Sequence, residues 1–122
     1  MKPELTEREE EIIRVLWENG PMTVREMLDK LPGPKRHFNT VSTFVRLMEQ
    51  KGYIDHEPYG TGYRYLAKIS ADDYSRSALR RVVSRYFNNS LRGVISALVT
   101  DEALTPEQVS ELVEQVKRGK ED

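Results

Sequence analysis

The sequence predicts a mainly α-helical chain: a winged helix-turn-helix of three helices and a β-hairpin wing, followed by a three-helix region. Three observations carry this. Apolar residues recur at helical spacing from Ile12 to Met48, the period changes to two between Tyr53 and Ala67, and helical spacing returns after Ser70.

Each element has its own signals. Thr6-Glu7-Arg8-Glu9 has capping-box spacing and opens a first helix over about 6–19, with Ile12, Ile13, Leu16 and Trp17 on one face and Gly20-Pro21 as its stop. Thr23-Val24-Arg25-Glu26 repeats the box and opens a second helix over about 23–31, which buries Val24, Met27, Leu28 and Leu31. After Lys35-Arg36-His37, Asn39 is placed to cap a third helix over 40–51 with Val41, Phe44, Val45 and Met48 inward. Tyr53 to Glu57 and Tyr63 to Ala67 then read as strands joined by a five-residue tip, Pro58 to Gly62. The boundary falls near Ile69, giving a winged-helix domain over 1–69 and a helical domain over 70–122. Ser70 caps a fourth helix, which Asn88-Asn89-Ser90 breaks. Leu91 to Val99 form a fifth, and Thr105-Pro106-Glu107-Gln108 caps a sixth that Arg118-Gly119 ends.

Composition narrows the function. The 122 residues hold 19 Lys+Arg against 20 Asp+Glu, a net charge of -1, and no cysteine. The missing thiols exclude a disulfide framework, a thiolate metal site and a cysteine nucleophile. No apolar run reaches the roughly 18 residues that span a bilayer, and residues 1–25 lack a signal peptide's apolar stretch, so no membrane insertion is expected and the chain reads as soluble and cytoplasmic. The near-zero charge is unevenly spread. Residues 1–34 carry 5 basic and 8 acidic side chains (-3), 35–69 carry 6 and 3 (+3), 70–100 carry 5 and 2 (+3), and 101–122 carry 3 and 7 (-4). The basic middle is compatible with a surface that faces phosphates.

The third helix is the informative element. Burial of its apolar face leaves Asn39, Thr40, Ser42, Thr43 and Arg46 outward in its first two turns, all able to hydrogen-bond base edges or phosphates of double-stranded DNA. Such a face on an isolated helix would be only a solvated surface; two preceding helices, a basic connector and a hairpin carrying Arg64 and Lys68 make it a recognition helix. Arg46 alone offers a bidentate grip on guanine. Arg64 is the expected wing ligand for phosphate, while Lys35 and Arg36 lie where phosphate contacts would orient the helix.

Catalysis is not expected. His37 and His56 are the only histidines, there is no phosphate-cradling glycine loop, and His56 with Asp55 and Glu57 lacks the second histidine of a zinc-protease helix, so neither a metal site nor a cofactor is predicted. The last 53 residues raise a different expectation. Three short amphipathic helices exposing Val82, Tyr86, Leu91, Val94, Ile95, Leu98, Leu112 and Val116 carry more apolar surface than a monomer of this size needs, which points to a homodimer, the alternative being a monomer in which this face packs back onto the winged-helix domain.

The strings Leu5-Thr6-Glu7-Arg8-Glu9, Val15-Leu16-Trp17, Gly20-Pro21-Met22-Thr23-Val24-Arg25-Glu26, Asn39-Thr40-Val41-Ser42-Thr43, Lys51-Gly52 and Gly62-Tyr63-Arg64-Tyr65 resemble the penicillinase-repressor (BlaI/MecI/CopY) family of winged-helix repressors. The likeness extends to Leu104-Thr105-Pro106-Glu107-Gln108-Val109 and covers nearly the whole chain. It implies a homodimeric repressor on a palindromic operator, in control of beta-lactam resistance or a related stress response. Thr40, Ser42, Thr43 and Arg46 would lie in the major groove and the C-terminal helices would form the dimer. It also implies a membrane sensor protease as a partner, which in the beta-lactamase branch leads to cleavage of an Asn-Phe pair; Ala97-Leu98 stands there in this chain. The cysteine cluster of the copper-responsive branch has no counterpart, and Leu47 and Gln50 occupy positions where basic residues are expected, so the operator should differ. Two other readings stay open on the residues alone: a winged-helix protein-interaction module and a small-molecule-responsive regulator.

Overall fold

The computed structural model describes residues 4–101 and 104–121. Within them the order is α1 (Glu7–Asn19), α2 (Val24–Lys30), α3 (Phe38–Gln50), β1 (Ile54–Tyr59), β2 (Gly62–Ala67), α4 (Ala71–Tyr86), α5 (Leu91–Thr100) and α6 (Pro106–Glu121). This is the mainly helical architecture with a hairpin after the third helix that the sequence predicts. The chain divides into two compact units, Met1–Ser75 and Arg76–Asp122.

In the first unit both predicted capping boxes form. The Thr6 hydroxyl accepts from the Glu9 amide (3.3 Å) and Glu9 Oε1 accepts from the Thr6 amide (2.8 Å); Thr23 and Glu26 make the same exchange at 3.2 and 2.9 Å. Gly20 ends α1 with φ +80°, its amide on the Leu16 carbonyl. That left-handed turn is why a glycine stands there.

Two boundaries differ from expectation. Helix α3 starts at Phe38, with His37 rather than Asn39 as its N-cap residue and no side-chain cap bond. The His37 carbonyl already accepts from the Thr40 and Val41 amides, so Asn39 lies inside the first turn. The hairpin tip is also shorter: Pro58 pairs with Tyr63 and Tyr59 with Gly62, leaving only Gly60-Thr61 between the strands. A glycine at positive φ (+61°) in the first central position fits a two-residue hairpin turn. Pro58 is tolerated because its strand, β1, is an edge of the two-stranded sheet. Met22 then adds a bridge to β2, exchanging backbone hydrogen bonds with Tyr65 at 3.0 and 2.7 Å.

The core joins all these elements. Ile12 and Ile13 of α1, Met27 of α2, and Val41, Val45 and Met48 of α3 are each 0% exposed, and Ile54 and Tyr53 close the sheet side. Each such side chain contributes roughly 1.5–3 kcal/mol relative to an exposed one. Phe44, expected inward, is only half-buried. The first turn of α4 belongs here too. Tyr74 packs on Trp17 and Tyr53 (ring centroids 5.8 Å in each case) and its hydroxyl donates to Glu10 Oε2 at 2.5 Å, while the Trp17 indole N–H donates to the Ile69 carbonyl at 2.9 Å.

One charged group is buried with the core. Glu9 is 1% exposed, and its Oε1 takes both the Thr6 amide and the Lys51 ammonium, the latter at 2.7 Å. Burial pushes its carboxyl up, but the Lys51 hydrogen bond, the Thr6 bonds and the Lys51 charge outweigh that and hold it below the ordinary carboxylate range.

The second unit is built differently. Asn88 and Asn89, at φ +50° and +63°, turn the chain out of α4, and asparagine tolerates that region best among residues with a side chain. Ser90 caps α5 through the Gly93 amide (2.9 Å), and Thr105 and Gln108 form a third capping box. Helix α6 continues through Gly119 to Glu121 instead of ending there. A glycine inside a helix costs only about 1 kcal/mol and is not an obligatory stop. Among the described residues of this unit, none is buried.

Glu9→Gln should keep the capping box, since glutamine also accepts there, yet remove the charge partner of Lys51. We expect a loss of about 1–3 kcal/mol at pH 7, read by urea unfolding through Trp17, the single tryptophan. The folded carboxyl titrates below its unfolded value of about 4.3. The wild-type advantage is therefore complete above that pH and vanishes as pH falls through the folded value. A difference that persists undiminished at pH 2–3 on the order of the neutral value would contradict this assignment.

Candidate nucleic-acid interface

Residues 39, 43, 46 and 50 recur at helical spacing on α3, opposite the buried line of Val41, Val45 and Met48. Asn39, Thr40, Thr43 and Arg46 are exposed and Ser42 is half-buried, so the five residues expected on the outer face all reach solvent. Thr43 donates its hydroxyl hydrogen to the Asn39 carbonyl at 2.9 Å, which leaves the hydroxyl oxygen as an acceptor. Among the described residues Arg46 has no carboxylate within ion-pair distance. Its charge is felt nearby: burial and then Glu49 push the Tyr65 phenol above its usual range, and Arg46 pulls against them.

The other basic residues are held differently. Lys35 makes only an exposed pair with Asp29 at 3.6 Å. Arg36, by contrast, turns back onto α1, its Nη2 on Glu11 Oε2 at 2.7 Å with the side chain 17% exposed. The Arg36 hydrogen bond holds the Glu11 carboxyl below the usual range; desolvation opposes it, and the charges of Arg36, Arg8 and Arg14 add to the lowering. Arg36 thus fastens the connector before α3. On the hairpin, Arg64 donates to Glu57 across the strands and its guanidinium lies over the Tyr59 ring, 4.9 Å from the centroid. Tyr59 and Tyr63 are exposed beside it.

The structure also brings forward residues the sequence reading did not select. Arg25, at the start of α2, lies over the Phe38 ring at 5.4 Å, and these two line an open recess with Ser42, Tyr59 and Tyr63. Arg25 is a surface residue of a capping box, so its sequence context marks the cap and gives no sign of the neighbour thirteen positions on. The Glu49 carboxylate meets His56 Nδ1 at 2.8 Å, between α3 and β1.

A family model described as penicillinase repressor matches residues 5–118. The chain belongs to the penicillinase repressor family. That family is one of transcriptional repressors and not an enzyme class. The penicillinase repressor of Bacillus licheniformis is 22% identical over 123 aligned positions, covering 97% of this chain and 93% of that protein. A Latilactobacillus sakei protein described as an uncharacterized 16.5 kDa protein in the ptsI 3' region is 23% identical, covering 89% of this chain and 75% of its own length. Among solved structures, the Giardia lamblia Hop2-Mnd1 complex aligns with a TM-score of 0.40 at 17% identity, over 90% of this chain and 76% of that one. For a penicillinase-repressor family member the shared span includes both compact units, and no helix of the described residues is long and apolar enough to cross a membrane.

The two connector cations should separate on mutation. Lys35→Ala should change folding stability by less than about 0.5 kcal/mol, since its pair is solvent-exposed. Arg36→Ala should cost about 1–3 kcal/mol by removing a partly buried charged hydrogen bond. Urea denaturation of both variants checks this, and equal effects would show that Arg36 does not fasten the connector.

Proposed function

We propose that this protein is a sequence-specific DNA-binding repressor that acts as a cytoplasmic homodimer on a palindromic operator. The observation that carries the proposal is the face of α3: short polar side chains and Arg46 outward, on a back that is wholly buried. A helix so backed enters the major groove as a rigid body. In this reading Asn39, Thr40, Ser42, Thr43 and Arg46 face base edges and adjoining phosphates, Arg64 and Lys35 face the backbone, and Arg36 sets the position of the helix. Repression follows from occupancy of a promoter and needs no chemistry from the protein. The B. licheniformis relative, described as a penicillinase repressor, supports the same reading. In this reading the process under control is beta-lactam resistance or a related stress response.

Dimerisation is supported by the second unit. Leu91, Ile95 and Leu98 of α5, with Leu112 and Val116 of α6, remain 42–69% exposed, and Val82 and Tyr86 of α4 are exposed as well. Ile95, Leu98, Leu112, Val113 and Val116 line one apolar groove within that unit. A unit with no buried side chain among its described residues has little to offset its conformational entropy. A second copy on this groove supplies the missing burial and doubles the recognition helices, as two half-sites require.

A gel shift with DNA from upstream of its own gene tests the function. Binding should be sequence-dependent, and log affinity should fall linearly with log salt, by roughly 0.9 per phosphate contacted. Arg46→Ala should relax specificity by about 1–3 kcal/mol while leaving non-specific binding nearly intact. A protein-interaction module would give no sequence-dependent shift. For the dimer, Leu98→Asp should produce monomers in equilibrium sedimentation, and a monomeric wild type at micromolar concentration would overturn the proposal.

A further inference from the structure

We propose that Glu49, Asp55 and His56 form a binding site for a divalent metal ion of the zinc type, linking the end of α3 to strand β1. One ligand atom from each of these residues lies within 4.8 Å of the other two. His56 Nδ1 and Glu49 Oε1 are 2.8 Å apart, and the Asp55 carboxylate folds back to accept from the His56 amide, also at 2.8 Å. That turn matters, because consecutive strand residues normally point to opposite faces; here the bond to its neighbour's amide brings Asp55 toward the side where His56 lies.

The donor set selects the ion. One imidazole nitrogen and two carboxylate oxygens form a borderline set suited to zinc, whereas calcium and magnesium favour oxygen alone. Tetrahedral zinc, with ligands at about 2.0–2.2 Å, places neighbouring ligand atoms roughly 3.4 Å apart. The 2.8 Å between Glu49 and His56 lies below that value and all three ligand atoms lie within 4.8 Å of one another, so the ion would part Glu49 from His56 slightly, with water completing the shell. The Tyr63 ring meets the imidazole edge to face at 5.0 Å and fixes its plane. The two carboxylates outnumber the one cationic side chain, Arg46, that shares the recess with Glu49 and His56. The side chains of Glu49 and His56 are 33% and 41% exposed, which leaves the site open to solution.

The sequence reading grouped His56 with Asp55 and Glu57 and expected no metal site. Glu57 is instead occupied by Arg64 across the hairpin, and Glu49 comes from the preceding helix. Because the ion would fasten the hairpin to α3 next to Arg46, it would also regulate DNA binding; this second part rests on the proposed repressor function.

Zinc titrated into the chelator-treated full-length protein, followed by calorimetry, tests the site. We expect one ion per chain with a dissociation constant below about 10 μM. Glu49→Gln, Asp55→Asn and His56→Ala should each weaken binding at least about tenfold, while Glu57→Gln should leave it unchanged. All four change partly exposed surface groups, and thermal melts in chelator should show each variant folded as the wild type. No saturable binding below about 100 μM zinc, or equal affinity in all the variants, would show the Glu49–His56 contact to be a hydrogen bond only and sink the proposal. Zinc should further raise operator affinity at least about threefold by fixing the hairpin in place, and only in proteins that bind it. Zinc binding with unchanged operator affinity would overturn the regulatory part alone. Zinc binding with no DNA binding at all would overturn the repressor reading and leave the site standing.

Discussion

Glu9 ties two distant elements of the first unit together through one of its oxygens. It closes the capping box that starts α1 and takes the ammonium of Lys51, the residue that ends α3. The start of the first helix and the end of the third are therefore fixed to each other through a carboxylate in the core. A charge in that position costs desolvation and is tolerated only when well partnered. Between those ends Val41, Val45 and Met48 leave α3 no freedom to roll, so its polar face is set by packing and not by the residues that form the face. Gly52 and Tyr53 then carry the chain directly into β1, and the hairpin inherits its position from the same anchor.

What could be read in the sequence, and what could not, divides by the range of the interaction. All three capping boxes and the change of period are local, and they place most elements to within a residue or two. The start of α3 differs from expectation because Asn39 is a strong cap by residue type, yet the preceding His37 carbonyl begins the helical pattern. The tip of the hairpin is shorter than Pro58 and two glycines suggest, because β1 is an edge strand of the sheet, where a proline is tolerated within the pairing. Contacts such as Arg36 with Glu11, Arg25 with Phe38 and Met22 with Tyr65 join residues far apart in the chain and leave no local pattern. For the interface, residue type identified the α3 face correctly as exposed but could not tell that Arg36 is turned inward.

The charge distribution takes a different meaning once the pairs are known. The basic stretch of residues 35–69 is partly neutralised, since Arg36 and Lys51 meet the α1 carboxylates of Glu11 and Glu9 and Arg64 meets Glu57 across the hairpin. Arg46 remains as the exposed cation on the proposed reading face. In the proposed repressor this arrangement gives a weak general attraction for phosphate, so that discrimination would come from contacts to particular positions.

The second unit, with no buried side chain among its described residues, has a consequence for how much of this protein a cell can keep. In the proposed dimer, the folding of α5 and α6 is completed by association, so their stability follows protein concentration by mass action. Newly made chains at low abundance would expose Leu91, Ile95 and Leu98 to cellular proteases, and chains above the association threshold would protect one another. The half-life of the protein would then lengthen as its level rises, a threshold set by the missing core and independent of any inducer.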